Sequence, residues 1–235
     1  MPQITTITFF KYKNCRSKIW AFLMMQFAHK SLSRVKGMQF YKIMGSGKEA
    51  FNPLPDWSVY AMLQVWDTEQ AALEFFECSA LMEQYKKHST NHYIVFMKNI
   101  VAKGEWSGQN PFVKSEDIND AISYIAVITR ATIKFKYLKQ FWNYVPASQM
   151  SLAANKGLLF TKGIGEVPIS QMATFSIWSD KQALMDFAYR SEGHKIAIQK
   201  TKALDWYKEE LFSRFQPYKT MGFWEGVQLK FKGDV

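Results

Sequence analysis

VWDTEQAALEFFECSALMEQY, residues 65–85, aligns without a gap with IWSDKQALMDFAYRSEGHKIA, residues 177–197, so that Trp66 matches Trp178 at a spacing of 112. Three shorter pairs lie in the same order in both halves, at spacings of 118 to 121: ITFFKYK (7–13) with ITRATIK (128–134), FYKIMGSG (40–47) with FTKGIGEV (160–167), and GEWSG (104–108) with GFWEG (222–226). Ordered matches at a spacing of about 110 to 120 residues indicate a duplicated small domain rather than a solenoid.

Each repeat carries strand and helix patterns in the same order. Alternating β-branched and aromatic residues in ITTITFFKY and SYIAVITRATIKF predict strands, as do TNHYIVFMKNI and PYKTMGFWEG at the end of each repeat. Apolar residues at helical spacing predict helices over residues 15–34, 68–88, 136–154 and 181–215. The order β-α-β-β-α-β, repeated twice, predicts an α+β fold of two ferredoxin-like repeats, residues 1–112 and 121–228.

Two such sheets that meet face to face enclose a barrel-like interior, so the sequence predicts a dimeric α+β barrel within one chain. On the third strand of the first repeat, the side chains expected to pack under the helices are Val59, Ala61, Leu63 and Val65. The side chains expected inside the barrel are Tyr60, Met62, Gln64 and Trp66, opposed by Met172, Thr174, Ser176 and Trp178. Such a face suits a large apolar ligand, and the alternative is an ordinary core. The substrate-binding candidates are Tyr60, Met62, Met172 and Thr174.

The charge and cysteine content limit the partners and the compartment. The net charge is +10, with 30 Lys and Arg against 20 Asp and Glu, and the basic residues are scattered rather than packed into one run. This pattern favours a solvated surface or an anionic membrane face over a nucleic-acid site. No segment reaches the ~18 apolar residues of a spanning helix, and Cys15 and Cys78 lack metal-type spacing. We expect a cytoplasmic chain, peripheral at the inner membrane face.

Seven segments together resemble the spheroidene monooxygenase family, the bacterial acyclic-carotenoid 2-ketolases: SKIWAFLMMQFA, FYKIMGSG, GEWSGQNPF, ITRATI, FTKGIGEVP, TFSIWSD and WYKEELFSRF. The similarity runs from about residue 4 to residue 226. It implies a duplicated dimeric α+β-barrel fold, haem as the cofactor, and insertion of oxygen from O2 into an acyclic carotenoid. Electrons would come from an external donor such as a ferredoxin. This chain is rich in lysine where family members are often rich in arginine, which is a difference of surface rather than of site.

A single site in a duplicated fold requires residues that differ between the repeats. Three polar residues replace other types at matched positions: His194 for Met82, Arg130 for Phe9, and Glu166 for Ser46.

His194 is the candidate metal ligand and haem-binding residue. Ser191 has the character of a helix N-cap, which places His194 at the third helical position, where the helix dipole disfavours imidazolium. Neutral imidazole is the form that ligates haem iron, and Gly193 would let a flat macrocycle approach closely. The alternatives are that His194 is only a capping or surface residue, or that His92, which opens a strand, ligates the iron.

Arg130 stands in mid-strand beside Ile128 and Thr132, where an unpaired charge is unfavourable. It therefore requires an acidic partner. A haem propionate would make Arg130 a catalytic and cofactor-binding residue, whereas an internal carboxylate such as Glu166 would make it structural.

Two functions are compatible with these patterns. The first is a haem-dependent monooxygenase that hydroxylates an acyclic carotenoid near the chain end and then forms a ketone there. The second is a non-catalytic protein that binds haem or another hydrophobic ligand. No residue spacing indicates a hydrolytic triad or a nucleotide-binding loop.

Overall fold

Eight antiparallel strands form one closed barrel in the computed structural model, which describes residues 2–48, 54–143, 155–190, 204–227 and 229–231. The strands are β1 (Ile4–Lys11), β2 (Met38–Gly47), β3 (Pro55–Trp66), β4 (Asn91–Gly104), β5 (Ile125–Ile133), β6 (Leu158–Val167), β7 (Gln171–Trp178) and β8 (Tyr207–Gly222). The helices with assigned bounds are α1 (Cys15–Phe27), α2 (His29–Leu32), α3 (Glu69–Cys78), α4 (Ala80–His88) and α5 (Lys181–Arg190). The predicted α+β class is confirmed.

The strands of the two halves follow the same spatial order. Around the barrel the order is β1-β3-β2-β6-β7-β5-β8-β4, so each half forms a sheet in which its fourth, first, third and second strands are neighbours. Two seams join these half-barrels, one between β4 and β8 and one between β2 and β6. Both halves therefore contribute to a single closed sheet.

At the long seam, between β4 and β8, both strands end in the same way. Each strand stops at a glycine with positive φ, 91° at Gly104 and 80° at Gly222. A Cβ atom at Gly104 would lie 2.1 Å from the carbonyl oxygen of Glu210, and one at Gly222 would lie 2.2 Å from that of His92. The amide that follows each glycine donates a 2.8 Å hydrogen bond to the same carbonyl. Glycine is therefore required at both strand ends.

The short seam, between β2 and β6, has little backbone pairing. Its register consists of two residue pairs, Gly45 with Gly165 and Ser46 with Ile164. Two ion pairs also cross this seam: Lys42 Nζ with Glu166 Oε2 at 2.6 Å, and Lys162 Nζ with Asp56 Oδ2 at 3.0 Å. Side-chain charges thus reinforce the join between the halves where the ladder is short.

The barrel interior is a packed core that draws side chains from all eight strands, among them Phe9, Phe175 and Phe215. The inward side chains of β3 are Val59, Ala61, Leu63 and Val65. Those that pack outside, under the helices, include Tyr60, Met62 and Trp66. The predicted faces of this strand were inverted, and the described interior is filled rather than open. The interior of an eight-stranded barrel is just wide enough to be filled by its own side chains.

The helix predictions were right in the first half and wrong at one boundary in the second. The helices α1 and α2 account for residues 15–34, and α3 and α4 account for residues 68–88. In the second half, residues 138–143 are helical, and 144–154 lie outside the described residues. Of the helix predicted over 181–215, residues 181–190 form α5 and residues 191–203 lie outside the described residues. The prediction is incorrect from residue 207, where β8 begins. None of the described helices is long and apolar enough to cross a bilayer.

The exchange Gly104→Ala should lower the free energy of unfolding by roughly 2 to 4 kcal/mol, because it combines a left-handed backbone with a clash against β8. Gly108→Ala is the matched control. Gly108 also has a positive φ, 76°, but nothing lies within 4 Å of a Cβ atom there, so only the backbone term of about 1–2 kcal/mol applies. Urea unfolding measures both, and equal losses would contradict the proposed clash at the long seam.

Candidate functional site

Arg130 lies on the inner side of β5 within a cluster of charged residues. Its side chain is 4% exposed, its Nη1 donates to Glu209, and its Nη2 lies 3.7 Å from Oε1 of Glu166. The guanidinium lies over the ring of Trp106, whose Nε1 donates to Glu166 at 2.6 Å. Lys42 contacts the other oxygen of Glu166 at 2.6 Å. These five residues form the ionic cluster.

The ionic cluster is neutral as a whole, since two cations face two carboxylates. Burial alone would raise the pKa of Glu209, but backbone hydrogen bonds from Gly108 and Ser107 and the charge of Arg130 outweigh it, so that pKa lies below its usual value. The internal pairing of Arg130 with Glu166, one of the two sequence alternatives, is observed. The pairing with Glu209 was missed because its segment was predicted to be helical.

The matched position in the first half is aromatic. Phe9, which occupies the place of Arg130, packs edge to face on Phe160 and Trp224, with ring centroids 5.0 and 5.9 Å away. The barrel interior is therefore apolar around Phe9 and ionic around Arg130.

An apolar groove of about 780 Å³ lies outside the barrel, over the short seam. Helix α1 forms one wall, and the glycine pair of the seam, Gly45 and Gly165, is part of the floor. Tyr60 and Met172, two of the four predicted substrate-binding residues, line this groove. Met62 and Thr174 also face outward, but they lie further along the sheet. The described structure thus has an open groove outside the barrel and a filled interior.

The outer faces of the two half-barrels differ in side-chain volume. In the first half, this face carries large side chains packed under the helices: Phe10, Ile43 and Met62. The residues at the matched positions of the second half are small: Ala131, Gly163 and Thr174. Gly163 and Thr129 are the cross-strand partners of Thr174. We call these four residues, Thr129, Ala131, Gly163 and Thr174, the small-residue face.

Two residues of the predicted haem site, the ligand His194 and its neighbour Gly193, lie outside the described residues. The counterpart of His194 is Met82, which is 1% exposed and packs on the outer face of the first half. The second candidate, His92, is half-buried, and burial followed by the charge of Lys86 lowers its pKa. Within the described ranges, no group of three His, Cys, Asp or Glu residues could hold a metal ion.

The fold is shared with a solved protein of different sequence. A crystal structure of an aldoxime dehydratase in complex with butyraldoxime matches with a TM-score of 0.62, over 92% of this chain and 80% of that chain, at 8% identity. This similarity concerns the fold alone. No protein-family model matches the chain.

Two relatives are similar in sequence over most of the chain. The chain is 34% identical over 226 residues to the spheroidene monooxygenase of Cereibacter sphaeroides, covering 95% of this chain and 69% of that protein. It is 30% identical to the spheroidene monooxygenase of Rhodobacter capsulatus, covering 96% of this chain and 94% of that protein. With the barrel and its outer groove, these matches define an oxidoreductase of the monooxygenase class. The chain belongs to the spheroidene monooxygenase family.

Acid should destabilise the protein partly through Glu209. Because the folded-state pKa of this carboxyl is depressed, its contribution to stability is present above the ordinary value of 4.5 and is lost as the pH falls through the folded-state pKa. In Glu209→Gln the urea midpoint should therefore depend less steeply on pH below 4.5 than in the wild type. Glu105→Gln, at an exposed carboxyl, controls for the loss of one charge. Parallel profiles for Glu209→Gln and the wild type would show that Glu209 is not held ionised by the cluster.

Proposed function

We propose that the protein is a haem-dependent monooxygenase that hydroxylates an acyclic carotenoid near one end of the polyene and then oxidises the same carbon to a ketone. The observation that carries this proposal is the small-residue face next to an apolar groove. Family membership supports the reaction class, and the names of the relatives, which refer to spheroidene, support the substrate class.

The groove supports a long apolar substrate. Its exposed lining is mostly apolar, from aromatic, aliphatic and methionine side chains, and it also includes the ionisable residues His29, Lys42, Asp56 and Glu166. A mainly apolar lining with a limited number of placed polar groups is typical of small-molecule sites. Met172 and Gly165 line the groove and lie two residues along their strands from Thr174 and Gly163 of the small-residue face. A polyene in the groove would therefore direct one end towards that face.

The small-residue face supports a haem at this end of the groove. A flat macrocycle requires a surface without bulky side chains, and the first half has such side chains at the matched positions. The repeat spacing makes His194 the counterpart of Met82, and we propose that His194 ligates the iron, with Gly193 as its neighbour in the chain. Haem bound there would supply the activation of O2.

The overall reaction balances with O2 and an external donor. One oxygen atom enters a C–H bond, and the other is reduced to water with two electrons and two protons from a donor such as a ferredoxin. A second insertion at the same carbon gives a geminal diol, which loses water to form the ketone. Allylic C–H bonds near the chain end are the weakest, and the groove would orient that end and exclude water.

For Arg130 we propose a positioning role. It faces the barrel interior, on the opposite side of the sheet from the small-residue face, and both of its Nη atoms are near carboxylates. To bind a haem propionate it would have to release Glu209 or Glu166. By holding β5 to β8 through Glu209, it fixes the strand that carries Thr129 and Ala131.

We also infer that the barrel arose by tandem duplication, with repeats over residues 1–112 and 121–228. The support is the shared strand order and the matched ends of the long seam, where Gly104 meets Glu210 as Gly222 meets His92, all at a spacing of 118.

Refilling the small-residue face should abolish haem binding. In Thr174→Met, position 174 receives the same side chain as its first-half counterpart, Met62. The Soret absorbance on haem titration should then be lost while the protein stays folded. The reciprocal exchange Met62→Thr is the control and should leave the Soret band intact. His194→Ala should also remove or shift the band. If it does not, and His92→Ala does, the ligand assignment is wrong.

Blocking the groove should stop the reaction without removing the cofactor. In cells that make acyclic carotenoids, co-expression of the wild type should yield products heavier by one oxygen, and then by one oxygen less two hydrogens, in mass spectra. Gly45→Phe, on the groove floor, should reduce both products, whereas Lys103→Phe, on an exposed part of β4, should not. If the wild type binds haem but leaves the carotenoids unchanged, the alternative of a non-catalytic binding protein is favoured instead.

A further inference from the structure

Helix α1 presents an apolar stripe to solvent. Four exposed apolar side chains, at 46–64% exposure, lie on one side of the helix together with the exposed Gln26: Ile19, Phe22, Leu23 and Phe27. The opposite side packs on the barrel through the buried residues Ser17 and Ala21. The helix is therefore apolar on both sides, although only one of them is needed for the core.

The stripe borders the groove, since Phe22, Leu23 and Phe27 are among the residues that line it. Trp57, 51% exposed, packs edge to face on Phe22 with the ring centroids 5.3 Å apart. Ile169, 45% exposed, borders the same groove. Together with the four residues of α1, these two side chains form the apolar rim. A contiguous exposed patch of this kind marks an interaction surface.

The segment of the chain that contains α1 is basic. The first 48 residues contain nine Lys and Arg and no Asp or Glu, so this segment carries +9 while the chain as a whole carries +10. Arg16 lies three residues before Ile19 and Lys30 three residues after Phe27, and both are exposed. Arg16 lies in the first turn of α1, and Lys30 lies in α2, which follows α1 after Ala28. Apolar residues flanked by basic ones are typical of helices that lie in a membrane interface.

We propose that the apolar rim docks the protein on an anionic lipid bilayer, with α1 lying in the plane of the headgroups. The 13-residue helix is about 20 Å long, and its apolar side would enter the boundary between headgroups and acyl chains. The surface potential of anionic lipids would attract the basic segment. In this orientation the groove would open towards the acyl chains. That consequence alone rests on the proposed function.

Flotation with vesicles of phosphatidylglycerol and phosphatidylcholine tests the docking surface. The double variant Phe22→Ala/Phe27→Ala should bind at least about tenfold more weakly than the wild type, because each buried Phe side chain contributes enough for such a factor. The matched control is Phe212→Ala/Phe223→Ala, which removes two phenylalanines exposed elsewhere, and it should bind as the wild type does. Arg16→Gln/Lys30→Gln should weaken binding at low salt more than at high salt. Circular dichroism confirms that each variant is folded.

Three results would overturn the proposal. One is a wild type that does not float with vesicles of any phosphatidylglycerol content. Another is an equal loss in the two phenylalanine pairs. The third is a wild-type dimer that Phe22→Ala/Phe27→Ala converts to a monomer without any vesicle binding, which would assign the rim to self-association. Vesicle binding requires neither haem nor carotenoid, so a failure here is distinct from a failure of the proposed reaction.

Discussion

Closure of the barrel is the constraint on which the remaining structure depends. Each half-barrel has two edges whose backbone groups require partners once they are buried. The edges β4 and β8 satisfy each other over a long ladder, whereas β2 and β6 share two residue pairs and rely on Lys42 with Glu166 and Lys162 with Asp56. The groove lies over this second join, where two glycines leave space under α1. The groove is thus a product of how unequally the two halves are joined.

Closure of the barrel also determines on which side of the sheet a large ligand could bind. An eight-stranded barrel has room for its own side chains and little else, and here the interior is filled by apolar residues and by a neutral ionic cluster. A large ligand can therefore bind only on an outer face. The outer face of the first half is occupied by Phe10, Ile43 and Met62, whereas the second half carries the smaller Gly163 and Thr174 at two of the matched positions. This difference between the halves is the asymmetry on which the proposed haem site depends.

The sequence predicted the class and the strands of the first half because repeat spacing and periodicity are local signals. It failed on the faces of β3 because both faces are buried, which removes the polar alternation that tells inside from outside. It failed at β8 because KEELFSRF has the composition of a helix, and pairing with β4 and β5 decides its conformation. Arg130 could be identified as needing a carboxylate, but Glu209 could not be found without β8. The concentration of basic residues before residue 49 is visible in the sequence. It was overlooked because the basic residues were considered over the whole chain.

The two unequal seams also define how the barrel can deform. The β4/β8 ladder, anchored at both ends by glycines that fit against the opposite backbone, is suited to act as a hinge. The β2/β6 join, with two backbone pairs, is the weakest line in the sheet and would be the first to open in a local fluctuation. Because the groove lies over that line, opening of the join would widen the groove along its length, so that a rigid rod could enter it from the side. For a conjugated polyene, which cannot coil, entry would then be governed by the width of a slit and not by the length of the molecule.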